Sequence, residues 1–267
     1  MSTLTTDPFN SGDCTSRKSR KPLVVITGAS TGLGLATLKK VAKDGGFRII
    51  ATCRSSSMAR FAKEGIFEDD NIRLRELDVT DGRQRLSLIQ ECESTFGGLD
   101  ILINNAGIAL RSVAEDASAD ERMEILNVNY ISPMRLIALA IPGMRNRRSG
   151  KIINISSAAG IVGMMTVDSK AASSKDTNSP YSGHYYHMER LIRWTMQHSR
   201  ATPETIASSI LATMKARNPS LRIPVTFDAY LLYWFRRFFP RALYHWLMFK
   251  LLPSSGNWGL PLRRPRS

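Results

Sequence analysis

Gly28, Gly32 and Gly34, in the run TGASTGLG at residues 27–34, are spaced as a loop that lets backbone approach a pyrophosphate. They follow an apolar, strand-like stretch and precede a helical pattern, so the amides of a helix N-terminus would face the anion. An ordinary strand-to-helix turn would use the same residues, and the loop gains meaning only from its company. His184 and His187 are spaced as helix-borne metal ligands, but no third His or Cys stands at a supporting distance, which favours a surface pair. Cys14, Cys53 and Cys92 are odd in number and far apart, giving neither a disulfide framework nor a zinc spacing. A reducing compartment fits them.

The elements that must position the loop are legible from periodicity. PLVVITG at 22–28 is entered by proline, closed by glycine and β-branched between, the pattern of a buried parallel strand. A helix is expected from the glycine loop to about Asp44, and further strands at 46–54, 71–80, 99–107 and 150–157. Leu86, Ile89, Cys92 and Phe96 recur at helical spacing, and 119–148 carries a long helical pattern that includes Leu126, Tyr130 and Ile137. Strict alternation of strands and helices implies an α/β fold, a doubly wound parallel sheet of Rossmann type. The 267 residues, 43% of them hydrophobic, suffice for one such core. After Gly163 the alternation stops, because 164–183 is polar and Ser-rich, so the sheet is expected to be incomplete beyond its fifth strand. Order resumes at 202–217, where Thr202 can cap a helix, Pro203 takes its first position, and Ile206, Ile210 and Met214 form one stripe.

Thr27, Gly28, Gly32 and Gly34 match the spacing TGxxxGxG; LDVT follows the third strand, NNAG (104–107) ends the fourth, and NISS (154–157) ends the fifth. In this order the set resembles the short-chain dehydrogenase/reductase family across residues 21–163. The resemblance implies that the glycines, with Leu33 among them, cradle the phosphates of a nicotinamide dinucleotide. It also implies that Asp78 and Val79 contact the adenine and that Asn105, Ala106 and Gly107 line the nicotinamide side, whereas Asn104 ties strands together. An acid at the end of the second strand would chelate the ribose hydroxyls of NAD, while an arginine there neutralises the extra phosphate of NADP. Cys53 stands where the family's acid usually does and Arg54 follows, with Ser55, Ser30 and Thr31 as hydroxyl donors. NADP(H) is therefore expected over NAD(H).

Family members move a hydride between nicotinamide and a carbonyl or alcohol and pair it with a proton. The resemblance assigns Ser157 to orienting the substrate oxygen and Asn129 to a supporting water relay; a strand-end hydroxyl and a helix-kink residue are the structural alternatives. The family's tyrosine and lysine have no match, since YxxxK occurs nowhere in the chain. Aligning TVDSK puts Thr166 at the tyrosine and Lys170 at the lysine, and a threonine cannot be tuned to a useful acid near neutrality. Tyr186 and Arg190 lie one helical turn apart, but packing suits them better. The chain reads as such an oxidoreductase with an internal segment missing near residues 163–167. An NADP-binding relic that cannot turn over is the alternative.

Residues 1–20 read as a flexible basic leader, 21–165 as the NADP-binding core, 166–200 as an irregular connection, and 201–267 as a helical substrate cap or membrane-associating region. The helix at 202–217 is similar to that of branches acting on lipophilic alcohols and ketones, of steroid, retinoid or lipid type. Residues 228–253 are aromatic and interrupted by arginines and Pro240; they suit either a peripheral membrane contact or helices covering an apolar pocket. The net charge of +14 favours anionic partners. Its dispersal argues against nucleic acid. A cytoplasmic chain is the resulting expectation, with the membrane contact through 228–253 and homo-oligomerisation through exposed sheet or helix faces left open.

Overall fold

Five apolar stretches form the strands β1 (Leu23–Ile26), β2 (Arg48–Cys53), β3 (Ile72–Glu76), β4 (Ile101–Asn104) and β5 (Lys151–Asn154), all parallel, in the order β3-β2-β1-β4-β5. The computed structural model describes residues 20–109, 116–157 and 201–238, with positions 190, 193, 240, 242, 243, 246 and 250. Between the strands run α1 (Gly32–Asp44), a 3-10 turn (Ser55–Ser57), α2 (Ala59–Lys63), α3 (Gly82–Ser94), α4 (Ala119–Leu126) and α5 (Ser132–Asn146), with α6 (Pro203–Lys215) and α7 (Phe227–Phe238) after β5. Among the described residues β5 is the last strand and forms an edge.

Strand residues alternate between two faces, and on β1, β2 and β4 both faces are buried, while β3 and β5 at the edges are partly exposed. Val24, Ile26, Ile49 and Ile103 pack beneath α1 and α6; Leu23, Val25, Ile50 and Leu102 pack beneath α3 and α5. The doubly wound sheet is thus covered on both sides at its centre, which is why β1 and β4 read as continuous apolar runs, whereas β3 at the edge alternates with charge as IRLRE. In α6, Thr202 Oγ1 accepts the Thr205 amide at 3.2 Å, and Ile210, Leu211 and Met214 are buried against α1. The segment legible as one packed helix is therefore an integral part of the core.

Two local expectations are corrected. On α3 the buried stripe is Arg85, Leu88, Ile89 and Cys92, while Leu86 faces solvent. Leu86 and Leu88 differ by about 200° of helical phase, and only Leu88 shares a face with Ile89 and Cys92. The long pattern at 119–148 is interrupted by a π-helical segment at Asn127–Ile131, which joins α4 to α5. By length and composition Ala119–Asn146 is apolar enough to cross a membrane, yet Leu136, Ala140 and Met144 lie in the core. It is a core helix with an exposed outer side.

Lys151, at the start of β5, ties the sheet edge to α6. Its Nζ donates to the carbonyls of Thr213 (3.0 Å), Met214 (2.6 Å) and Ala216 (2.6 Å), the groups a helix C-terminus leaves unpaired. Lys215 pairs with Asp44 and fastens the same end of α6 to the end of α1. Replacing Lys151→Met is expected to cost about 2 kcal/mol. Urea unfolding would show this as a lower midpoint at unchanged slope, with hydrogen exchange accelerated in α6.

Candidate functional site

The chain crosses from β1 to β2 in one direction along the sheet, and β4 and β5 extend the other way, so the loops after β1 and β4 diverge. A crevice forms at such a switch point, outside the carboxyl ends of the strands. Here it is a cleft of about 460 Å³ lined by the loops after β1, β2, β3 and β4 and by the π-helical segment.

Thr27 and Asn105 hold its two sides together. Thr27 Oγ1 accepts the amides of Asn105 (2.9 Å) and Ala106 (3.0 Å), and Asn105 Nδ2 donates back to the carbonyls of Thr27 (2.9 Å) and Gly28 (3.1 Å). Gly28 has φ 67°, and a Cβ there would lie 2.8 Å from Ala106 Cα. At Gly34 a Cβ would collide with the Gly28 carbonyl and Asn105 Nδ2. Glycine is required at both by close approach. Gly32, at φ 55°, is required by conformation alone and stands outside the cleft lining.

Asp81, Ser118 and Thr202 cap the N-termini of α3, α4 and α6 with side-chain oxygens, but Thr31 makes no such bond at α1. The first intrahelical bond of α1 is from the Leu35 amide to the Thr31 carbonyl. The amides of Gly32, Leu33 and Gly34 therefore point outward without an intrahelical acceptor. Together with the glycine cradle, they fit a pyrophosphate. Ser30, Thr31, Leu33 and Gly34 line the cleft.

At the end of β2, Cys53 is buried, and burial pushes its thiol pKa up, opposed by a hydrogen bond from Ser30. Arg54 follows, exposed and lining the cleft, and the 3-10 turn and α2 bring Ser57 and Arg60 to the same wall. Ser55 is exposed and does not line it. At the end of β3, Asp78 Oδ1 accepts the Thr80 hydroxyl (2.7 Å) and amide (2.8 Å). The Thr80 hydroxyl is the main cause holding the Asp78 carboxyl below its usual range, with Arg54 and Arg85 adding attraction. Val79 is buried in the cleft wall, its carbonyl accepting from Arg85 at 2.5 Å.

Asn105, Ala106 and Gly107 line the far side, and Asn104 Nδ2 donates to Asn154 Oδ1 at 2.8 Å, joining β4 to β5. Asn129 lies in the π-helical segment; its Nδ2 donates to the Ile108 carbonyl (2.7 Å) and its Oδ1 accepts the Ile108 amide (2.9 Å). Its amide thus clasps the loop after β4. Ser157 is exposed three residues beyond β5. Neither Asn129 nor Ser157 is in the lining of the cleft. Thr166, Lys170, His184, Tyr186 and His187 lie outside the described residues, and Arg190 is an exposed helical position. No cluster of three metal-ligating side chains occurs among the described residues.

Sequence reasoning missed Ser57, Arg60, Thr80, Glu124 and Asn127 in the cleft wall. Reading SSS at 55–57 as a single tight turn could have found Arg60. Nothing in the local pattern points to Glu124 or Asn127, which arrive from a helix distant in sequence.

The short chain dehydrogenase family model matches residues 22–176, so the chain belongs to that family. Among curated relatives, the ketoacyl reductase HetN of a Nostoc species is 33% identical over 141 residues, 53% of this chain and 49% of that protein. The chain spans about half the length of the curated relatives it matches. A short-chain dehydrogenase from Streptomyces avermitilis shares the fold at TM-score 0.68 and 20% identity, covering 86% of this chain and 97% of that one. The structure of ElxO with NADP bound matches at TM-score 0.50 and 29% identity, covering 54% and 59%.

Gly28→Ala is expected to cost about 2 kcal/mol or more, from positive φ and the clash together. Gly65→Ala, at φ 69° with nothing within 4 Å of its Cβ, is expected to cost about 1 kcal/mol from φ alone. Thermal unfolding of the two variants separates close approach from conformation.

Proposed function

We propose that the chain binds NADP(H) in preference to NAD(H) in this cleft, as part of an oxidoreductase that interconverts a lipophilic alcohol and ketone of steroid, retinoid or lipid type. The observation carrying the cofactor preference is the end of β2, where Arg54 and Arg60 both line the cleft and Cys53 replaces an acid. Two guanidiniums suit a ribose phosphate, and no carboxylate at that strand end competes for the ribose hydroxyls. The NADP carried by ElxO supports the same choice. Ser30 and Thr31, but not Ser55, are hydroxyl donors to that phosphate, the loop from Gly28 to Gly34 holds the pyrophosphate, Asp78 and Val79 the adenine, and Asn105 to Gly107 the nicotinamide side.

When bound, the cofactor supplies a hydride to a carbonyl carbon or takes one from an alcohol. Ser157 orients the substrate oxygen at the end of β5. Asn129 contributes by fixing the loop after β4 through its two bonds to Ile108. We assign residues 21–165 to cofactor binding and 201–267 to a helical region that caps a lipophilic substrate or meets a membrane, with α6 as the part anchored in the core. The name of HetN, a ketoacyl reductase, is in keeping with a carbonyl substrate.

A second function is favoured by one observation: none of the seven tyrosines is followed four residues later by lysine. A chain without that pair, missing a segment near 163–167, would hold NADP(H) and position a substrate but lack the group that delivers the proton. Mixing stoichiometric chain and NADPH with a ketone panel distinguishes the two. Loss of reduced-nicotinamide absorbance within one turnover supports the enzyme, and unchanged absorbance with intact binding supports the relic.

The family commonly pairs subunits, and α4–α5 offers a surface for it. Met123, Leu126, Tyr130, Met134 and Ile141 are exposed along one stripe, with Asp120 and Glu121 in its first turn and Arg145 in its last. Antiparallel pairing with a second copy would set those charges opposite each other. The free thiols of Cys53 and Cys92 suit a reducing cytoplasmic compartment.

Arg54→Ala and Arg60→Ala are each expected to weaken NADPH binding about tenfold or more and leave NADH binding unchanged. Fluorescence titration checks this; equal losses for both cofactors would sink the phosphate assignment. Tyr130→Asp with Met134→Asp is expected to convert a dimer to a monomer in light scattering.

A further inference from the structure

We infer that α7 lies flat on an anionic lipid surface, with the side bearing Phe227, Tyr230, Leu231, Trp234 and Phe238 turned into the bilayer interface. This goes beyond the cofactor and substrate assignments and does not depend on them. At 100° per residue those five positions fall within an arc of about 100°. In a globular core such a stripe would be buried. Here Phe227 is 81% exposed, Tyr230 52%, Leu231 56% and Phe238 70%, while Trp234 at the centre of the stripe is half-buried with its Nε1 shielded from solvent.

The rings form a preset ladder along the helix. Trp234 stacks on Phe238 with centroids 5.3 Å apart and planes 7° apart, and Tyr230 meets Trp234 edge-on at 6.0 Å. Arg237 is exposed beside this face. Further on, exposed Trp246 carries Lys250 over its ring at 4.3 Å. Tyrosine and tryptophan with flanking cations suit the headgroup boundary, where one end of the side chain is apolar and the other wet.

Charge selects the occupant. Residues 218–267 contain eight Lys and Arg and one acid, Asp228, so half of the chain's +14 lies in its last fifty residues. A second copy of this face would bring two strongly positive segments together. Duplex nucleic acid would answer the charge through its phosphates and leave the aromatic stripe exposed. Anionic headgroups over acyl chains satisfy both.

The test is co-sedimentation of the full chain with phosphatidylcholine vesicles, alone or mixed with phosphatidylserine. Binding is expected to be about tenfold tighter or more with phosphatidylserine and to weaken with salt. Phe227→Ser with Leu231→Ser and Phe238→Ser should keep the circular dichroism spectrum and remain in the supernatant. Arg237→Glu, a single exposed change, should lower binding to the anionic vesicles several-fold. The inference is overturned if the unaltered chain stays in solution with phosphatidylserine vesicles, or if neither altered chain binds less. It is also overturned if the serine changes abolish self-association without vesicles, which would give the face to a second copy.

Discussion

The reciprocal bonding between Thr27 and Asn105 is the constraint on which the rest of the structure turns. One hydroxyl accepts two amides from the loop after β4, and one amide side chain returns two bonds to the loop after β1. These loops belong to strands that adjoin in space but are separated by three crossovers in sequence. Fixing them fixes the mouth of the cleft. Gly28 and Gly34 must then be glycine, because no space remains between the loops for a side chain. The uncapped start of α1 follows from the same closeness: its amides are left aimed into the crevice by a helix that the sheet and α6 hold in place.

The two halves of the core bear on this mouth from opposite sides. α3 and α5 cover one face of the sheet, and α1 and α6 cover the other. α6 comes from beyond residue 200 and is secured at its far end by Lys151 and by the pairing of Lys215 with Asp44. The edge strand and α1 are thus linked through α6 by two lysines. α6 covers one face of the sheet up to β5, the last strand among the described residues, whose own residues stay partly exposed.

Much of the fold was legible because the central strands β1 and β4, buried on both faces, are apolar runs followed closely by glycine. The phosphate loop was legible for the same reason, since glycine is demanded there by φ or by contact. Register and phase were less so: Leu86 and Leu88 are chemically equal, and only the packed helix decides which one faces inward. Arg60 was hidden because its place depends on a three-residue turn that no strong signal marks. Asn129 was singled out by its motif, but its partner Ile108 could not be, because the π-helical segment that carries it lies far from Ile108 in sequence. The α7 stripe was visible as aromatic density. Its exposure was not, because the same pattern serves a core helix equally well.

The account rests most heavily on the uncapped amides of α1 receiving a phosphate. Amide NMR spectra of the labelled chain, recorded as NADPH is added, test this directly. The largest shifts are expected at Gly32, Leu33 and Gly34, with smaller ones at Asn105 and Ala106 across the clasp. Saturating shifts confined to other parts of the chain, or none at all, would contradict it.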